Sequence, residues 1–451
     1  MPHFEVRQSK NVQLTSYSGL ALIGQCCKAA QLDVVIDPKL PVSQGTRSSD
    51  VVKAMLGLLT LGKSDFDAIE PFRSDRFFKE ALDMAKVPSS ATLRQRLDAR
   101  GAELRELTDE LSLRMLERTE APITPQGGFV CLDIDTFVMD NSGSHKESVG
   151  RTYQGVDGYT PIAAYLGFEG WNIGLELRAG QDHSAKETEY FLERVFPRVQ
   201  RLTDQPVLVR MDSGFDAAKL LFALADERDR WAALGRSFDY IVKWNPRKQD
   251  KAAWVKQFDV AGVFVETRPG KRIGRMRREE MREHAGQTRA FAQWVQVTER
   301  TIDKRGQSLL MPEIEIEGWW TSLDVPCEQM ILLYQAHGTH EQFHSEIKTD
   351  LDLERLPSGK FDTNDAILHL ASFAYNCLRL LGQLGLTGEI APIRNPAKRR
   401  RLKTVLQEVM YRAAQFIAHA RQWVLDFGRG WDGHVQVFAF LQGRLRCAAS
   451  P

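Results

Sequence analysis

The sequence predicts an α/β fold: strands alternating with helices, interrupted by a β-rich segment and flanked by helical N- and C-terminal regions. Three observations predict it. Two apolar runs end in an acid, Val130 to Asp135 and Val207 to Asp212, and helical patterns fall around them, as in a sheet whose strands are joined by helices. Between 246 and 323 the alternation has period two, in VFVETR, WVQVTER and EIEIEGWW, the period of half-buried strands. Before 125 and after 340 apolar residues recur mainly at helical spacing.

The elements follow in order. Residues 15–120 read as helical, through Leu20, Leu22 and Ile23 and the run Val51–Gly62. Val87-Pro88-Ser89-Ser90 breaks one helix and Ser90–Leu97 starts the next. That short segment carries Thr92, Arg94 and Arg96, the residue types of a DNA-reading helix-turn-helix; the alternative is an ordinary capped surface helix. From Gly127 a buried strand runs to Thr136, and a β-rich run spans Tyr159–Arg178. A helix over about 184–196, the strand Pro206–Met211, a helix over 216–229 and the strand Tyr240–Trp244 complete the layer. The basic cluster Lys271, Arg272, Arg275, Arg277 and Arg278 lies between the strands of the β-rich segment. Met330–Tyr334 reads as a short strand leading through Gly338 to a helix. Thr339 with Gln342 forms a capping box that starts this helix at His340. The rest is mainly helical, and 394–403 holds six basic residues in ten, including Lys398, Arg399, Arg400 and Arg401.

The expected units are a helical DNA-binding region at 1–125, the first part of the core at 126–245, a β-rich insertion at 246–323, the catalytic-helix part of the core at 324–380 and a C-terminal helical region at 381–451. The 451 residues suffice for two to four domains, and 43% hydrophobic with 26% charged residues is ordinary globular composition. No run has the length of a membrane span and the N-terminus lacks the pattern of a signal peptide. Six scattered cysteines without a C-x-x-C pair fit a reducing cytoplasm. With net charge +1, any nucleic-acid footprint must be local.

Asp135, with Asp133 beside it, and Asp212 sit at the carboxyl ends of two core strands, where open α/β sheets form their sites. A lone strand-end Asp is usually a cap or turn former, so a third acid decides the matter. Glu341, His344, Ser345 and Lys348 step by three and four along one helix stripe, with Phe343, Ile347 and Leu351 on an apolar one. Three converging carboxylates, Asp135, Asp212 and Glu341, can hold two divalent cations; their hard oxygens select Mg²⁺ or Mn²⁺, and a metal pair suits phosphodiester displacement. The competing reading is zinc. His340-Glu341-Gln342-Phe343-His344 is a literal H-E-x-x-H, but it leaves Asp135 and Asp212 unexplained and needs a third ligand such as Glu354 or Glu389.

The order Asp135-Thr136, then Asp212-Ser213-Gly214-Phe215, then Tyr334-x2-His337-x3-Glu341-x6-Lys348 resembles the DDE insertion-sequence transposases, whose signature around the third acid is Y-x2-R-x3-E-x6-K. It looks most like the insertion-sequence thirteen-eighty family, through Leu132–Thr136, Gly158–Pro161, Leu177–Gly180, Ser90–Leu93, Arg355–Ser358, Asn364 and Ala374–Asn376. The resemblance covers roughly residues 85–380. His337 stands where the signature has Arg, which makes any phosphate contact there weaker and pH-dependent. The D-x-D leaves Asp133 and Asp135 both open as first ligand; Asp135 is favoured by the Thr that follows it. The gap of 129 positions between Asp212 and Glu341 is too long for one connection and fits a β-rich insertion.

The resemblance implies an RNase H-like core and a cut-and-paste DNA transposase, with Asp135, Asp212 and Glu341 holding two Mg²⁺ for endonucleolytic cleavage at the element ends and for strand transfer. It implies that Asp133 supports from behind and that Tyr334, His337 and Lys348 contact phosphates. Trp319 or Trp320 would stack a flipped base, or else be plain strand core. The basic runs at 271–278 and 394–403 would track DNA backbone, or else be solvated loops. The expected partners are terminal inverted repeats, target DNA and a second copy in a synaptic homodimer, in a bacterial, cytoplasmic and nucleoid-associated setting. The rivals are a zinc metallopeptidase and a transposase-derived DNA-binding protein without activity.

Overall fold

The computed structural model describes residues 3–9, 11–419 and 422–449, apart from the side chain of Thr339, so the capping box expected there lies outside the described residues. A nine-stranded sheet organises the chain. Its strands are β1 (Val130–Thr136), β2 (Ile162–Leu166), β3 (Trp171–Glu176), β4 (Val207–Met211), β5 (Phe238–Lys243), β6 (Phe264–Arg268), β7 (Lys271–His284), β8 (Gln287–Ile302) and β9 (Ser308–Thr321). Their order is β6-β7-β8-β9-β5-β4-β1-β2-β3. β1 pairs parallel with β4 and β4 with β5, while β2 runs antiparallel to both β1 and β3. The five-strand order 3-2-1-4-5 with its second strand reversed is an RNase H-like core. Its strands are buried on both faces, as continuous apolar runs covered by helices should be.

The β-rich segment continues this same sheet, because β9 pairs antiparallel with β5 (Trp319 opposite Lys243). It also carries a helix, Lys251–Val260. The basic cluster expected between strands is itself part of one: β7 pairs with β8 along its whole length. Three of its arginines meet the residue directly opposite. Arg272 contacts Glu299, Arg275 donates to Gln296 and Arg278 to Gln293, so cross-strand pairing turns a basic stretch into a strand.

Two other expectations change. The segment opening at Ser90 is a 29-residue helix, Ser90–Arg118. It packs along helix Phe361–Gly385 through buried Leu93, Leu97, Leu104, Leu111 and Met115. Polar ties join the same two helices: His369 meets Asp109 at 2.7 Å and Asn376 donates to Ser112 at 2.8 Å. Met330–Tyr334 belongs to helix Cys327–Gln335, since Cys327 and Met330, three apart, are the buried positions. The C-terminal region is mainly helical, as expected, and also carries a hairpin, Ala414–His419 with Gln422–Asp426, joined to Leu14–Thr15. Among the described residues no helix is long and apolar enough to cross a membrane.

Candidate active site

Asp135 is the penultimate residue of β1, and Asp212 follows β4 directly. Ile134 and Met211 are register partners, so the two acids leave adjacent parallel strands at the same edge. Asp212 caps the turn Ser213–Phe215, accepting from the Gly214 N–H at 2.9 Å. Glu341 arrives on the short helix His340–Ser345, after helix Cys327–Gln335 and a 3-10 turn. All three carboxylates line one cavity of about 640 Å³. Lys243, Arg275, Gln296, Glu317 and Trp319, from β5 and the extended sheet, line it too, with Tyr334, His337 and His340.

The two residues of the D-x-D have different surroundings. Asp133 is buried and held by both arms of Arg210, its register partner, at 2.6 and 2.7 Å, and by His337 Nδ1 at 2.8 Å. Burial alone would raise its pKa, but Arg210 and His337 hold it at about 2. Its oxygens are therefore committed to protein donors. Arg210 also donates to the Leu333 carbonyl at 2.7 Å, tying β4 to the helix before the site. Asp135 faces the cavity. Among the described residues its one ion-pair partner is His340, at 2.6 Å, and this contact lowers its pKa against the effect of burial. Both ring nitrogens of His340 face acceptors, Asp135 and the His337 carbonyl. The carboxylate raises its pKa despite burial. Asp212 is pushed the other way: burial and then the charge of Asp135 raise its pKa. Tyr334 is likewise raised, by burial and by the acids Asp212, Asp135 and Asp133.

Among the described residues no three His, Cys, Asp or Glu side chains are grouped closely enough to hold a metal ion as they stand. The chemistry of the cavity nevertheless suits cations. Burial and the charge of Asp135 raise the pKa of Asp212, the third carboxylate is within the same walls, and Asp135 already pairs with His340, whose pKa it raises. The H-E-x-x-H residues diverge in role. His344 packs 4.4 Å from the ring of Phe137 and 5.5 Å from that of Tyr165. Burial drops its pKa to about 3. Of the third ligands considered, Glu354 pairs with Lys348 at 3.2 Å and Glu389 is exposed.

The remaining expected residues spread over several surroundings. Lys348 does not line the cavity; it donates to the Val138 carbonyl at 2.8 Å. Glu346–Asp350 is a π-helical turn, whose smaller rotation per residue takes Lys348 off the stripe of Glu341. Trp319 lines the cavity with its ring 6.3 Å from Tyr334. Trp320 is fully buried, donates to Asp216 at 2.9 Å and lies under Arg282, which is the strand-core arrangement. In the β7 cluster Arg275 reaches the cavity, Arg277 pairs with Asp324, and Arg278 lies over Trp254. Thr92 shares a bond with its cap Ser89, Arg94 lies over Phe66, and Arg96 donates to Ser48. Lys398 is exposed, whereas Arg399, Arg400 and Arg401 bond within the chain.

Sequence reasoning passed over Arg210, Lys243 and Glu317. Arg210 had a readable signal, because one arginine inside the apolar strand VLVRM needs a buried partner, and Asp133 was available. Lys243 and Glu317, 3.1 Å apart, carried none, since only the pairing of β5 with β9 brings them together.

A search of curated protein sequences finds no match. Among solved structures, the chain is similar to piggyBac transposase in a cryo-EM synaptic complex with hairpin DNA, with a TM-score of 0.43 and 11% identity over 88% of this chain and 80% of that one. The family model described as transposase DDE domain group 1 matches residues 7–446. With nearly the whole chain matched, and its strand-end acids gathered at one edge of an RNase H-like sheet, the protein belongs to the DDE transposase family.

Proposed function

We propose that the protein is an insertion-sequence transposase of the thirteen-eighty type that cuts its element's ends and joins them to target DNA, with Asp135, Asp212 and Glu341 as the catalytic acids. The observation that carries this reading is the convergence of these three carboxylates on one cavity whose other walls supply Lys243, Arg275 and Tyr334. Asp135, Asp212 and Glu341 would hold two Mg²⁺, for which Mn²⁺ can substitute; bound there, the ions supply charge neutralisation and an activated oxygen nucleophile. The chain's own groups orient the strand. Lys243 and Arg275 attract the phosphate backbone from the sheet side, and Tyr334 closes the cavity between Trp319 and His337. Asp133 holds His337 in place through Nδ1, with Arg210 fixing Asp133 from behind. Catalysis is then positioning plus electrostatics, with no covalent enzyme intermediate. The DNA partners are the terminal inverted repeats and the target, and a second copy pairs the two ends.

The test is Mg²⁺-dependent cleavage of DNA carrying the flanking ends of the gene's own locus. Glu341→Gln should abolish cleavage, while His344→Phe, which keeps the aromatic packing against Phe137, should retain it. Wild-type protein that leaves the DNA intact and carries one tightly bound zinc, lost in His344→Phe, would establish the peptidase reading instead.

A further inference from the structure

We infer that Arg379, Arg399 and Arg401 are positioning residues that fix the rotation of the helix bearing Glu341, so that the inward half of the 394–403 basic run braces the active site. The inference rests on the reading of Glu341 as a catalytic acid.

The helix His340–Ser345 has six residues and passes straight into the π turn Glu346–Asp350. So short a helix has little stability of its own, and tertiary contacts must set its orientation. Glu341 faces the cavity, while Gln342, Phe343, Ser345, Glu346 and Asp350 meet three arginines. Arg399 donates to Gln342 Oε1 at 3.3 Å and to the Phe168 carbonyl at 2.6 Å, with its guanidinium 4.5 Å from the centre of the Phe343 ring. Arg379 lies 5.5 Å from the same ring, donates to Glu346, and takes the Arg400 carbonyl at 2.6 Å. Arg401 donates to both oxygens of Asp350 at 2.9 and 3.1 Å and to Ser345 Oγ at 3.0 Å. Backbone joins in, as the N–H groups of Leu402 and Lys403 donate to Glu346 and Asp350.

Five positions between 342 and 350, Gln342, Phe343, Ser345, Glu346 and Asp350, are thus tied to residues 379 and 399–403. The seat beneath Phe343 is equally specific. Gly170 has φ +73°, and a Cβ there would stand 2.2 Å from Phe343 Cζ, so only glycine lets the ring settle against the β2–β3 turn. Planar guanidinium groups suit this task, because a fork can stack on a ring and donate in its plane at once, which an ammonium cannot. Glu346 and Arg379 are almost wholly buried, so contact with DNA phosphate would require breaking a desolvated pair. By contrast Arg394, Lys398 and Lys403 are exposed.

Hydrogen exchange read by mass spectrometry on the full-length protein decides the matter, alongside binding to end DNA without divalent metal over a salt series. In Arg401→Gln and in Arg399→Lys, exchange over 340–350 should quicken by about tenfold or more, the effect of losing charge-assisted hydrogen bonds on local opening. Exchange over 130–136 and 207–211 should hold. Affinity and salt slope should match wild type, while single-turnover cleavage at saturating DNA slows. Unchanged exchange over 340–350, with weakened binding and a shallower salt slope in Arg401→Gln, would overturn the inference and return these residues to the DNA backbone. Because exchange is read without catalysis, a wild-type protein that fails to cleave would refute the proposed function and leave this test standing.

Discussion

The two arginine-rich segments invite comparison, since both read in sequence as tracks for a DNA backbone. The stretch 271–278 forms a strand at the outer part of the sheet, where its arginines pair across the ladder with Glu299, Gln296 and Gln293, and one of them, Arg275, reaches the cavity. The stretch 394–403 folds back over the helix bearing Glu341, with Arg399 and Arg401 turned inward onto Phe343, Ser345 and Asp350. Density of positive charge announces that acids, ring faces or phosphates are nearby. It does not say which. The partner is set by topology: a strand offers every second side chain to solvent or to a neighbouring strand, while a loop crossing a buried helix end must satisfy that helix's polar groups.

The difference in burial sets the size of mutational effects. The largest is expected at the inward site. Glu346→Ala leaves Arg379 buried without its carboxylate and should cost about 3–5 kcal/mol of stability, read by urea unfolding. A comparable loss from Arg300→Ala, whose partners Glu313 and Glu315 lie on the solvent-exposed side of β9, would erase the distinction.

Acid provides the next comparison. Asp133, paired with buried Arg210, has a native pKa of about 2 against an ordinary 3.8. Because the folded value is the lower one, its contribution, on the order of 2 kcal/mol, is present above pH 3.8 and is lost as pH falls toward 2. Asp133→Asn should flatten the stability profile between pH 4 and 2. An unchanged profile would show that the Asp133–Arg210–His337 chain contributes nothing to the fold.

A smaller effect belongs to the outward site. Arg275→Gln should lower the slope of log affinity against log salt by about 0.9 if Arg275 neutralises one phosphate, with the unfolding midpoint unmoved. A slope equal to wild type would confine Arg275 to its pairs with Gln296 and Glu328. The smallest is Arg300→Ala itself, which should stay within about 0.5 kcal/mol of wild type because exposed pairs gain little in water.

These contrasts follow what the sequence could convey. The α/β class, the strands at Val130 and Val207 and the β-rich character of 246–323 were legible, because alternation and apolar runs are local signals; that this segment extends the core sheet through the pairing of β9 with β5 was not. The convergence of Asp135, Asp212 and Glu341 was legible only as an ordered motif, since nothing local places residues 77 and 129 positions apart at one edge. Helix Cys327–Gln335 was misread as a strand, as five apolar residues in a row fit either period. The stripe from Glu341 to Lys348 failed because a π turn shifts helical phase and no residue of Glu346–Asp350 announces it. The long helix from Ser90 was read as a short exposed one because its partner, Phe361–Gly385, lies more than two hundred residues downstream.

The central claim, that the site uses Asp135, Asp212 and Glu341 with Asp133 behind them, is tested most directly by single-turnover cleavage of end DNA with four variants: Asp135→Asn, Asp212→Asn, Glu341→Gln and Asp133→Asn. Each of the first three should slow cleavage by about a thousandfold or more with the fold intact, and Asp133→Asn should retain measurable cleavage. Cleavage that survives in Glu341→Gln, or that fails in Asp133→Asn while persisting in Asp135→Asn, would contradict the account.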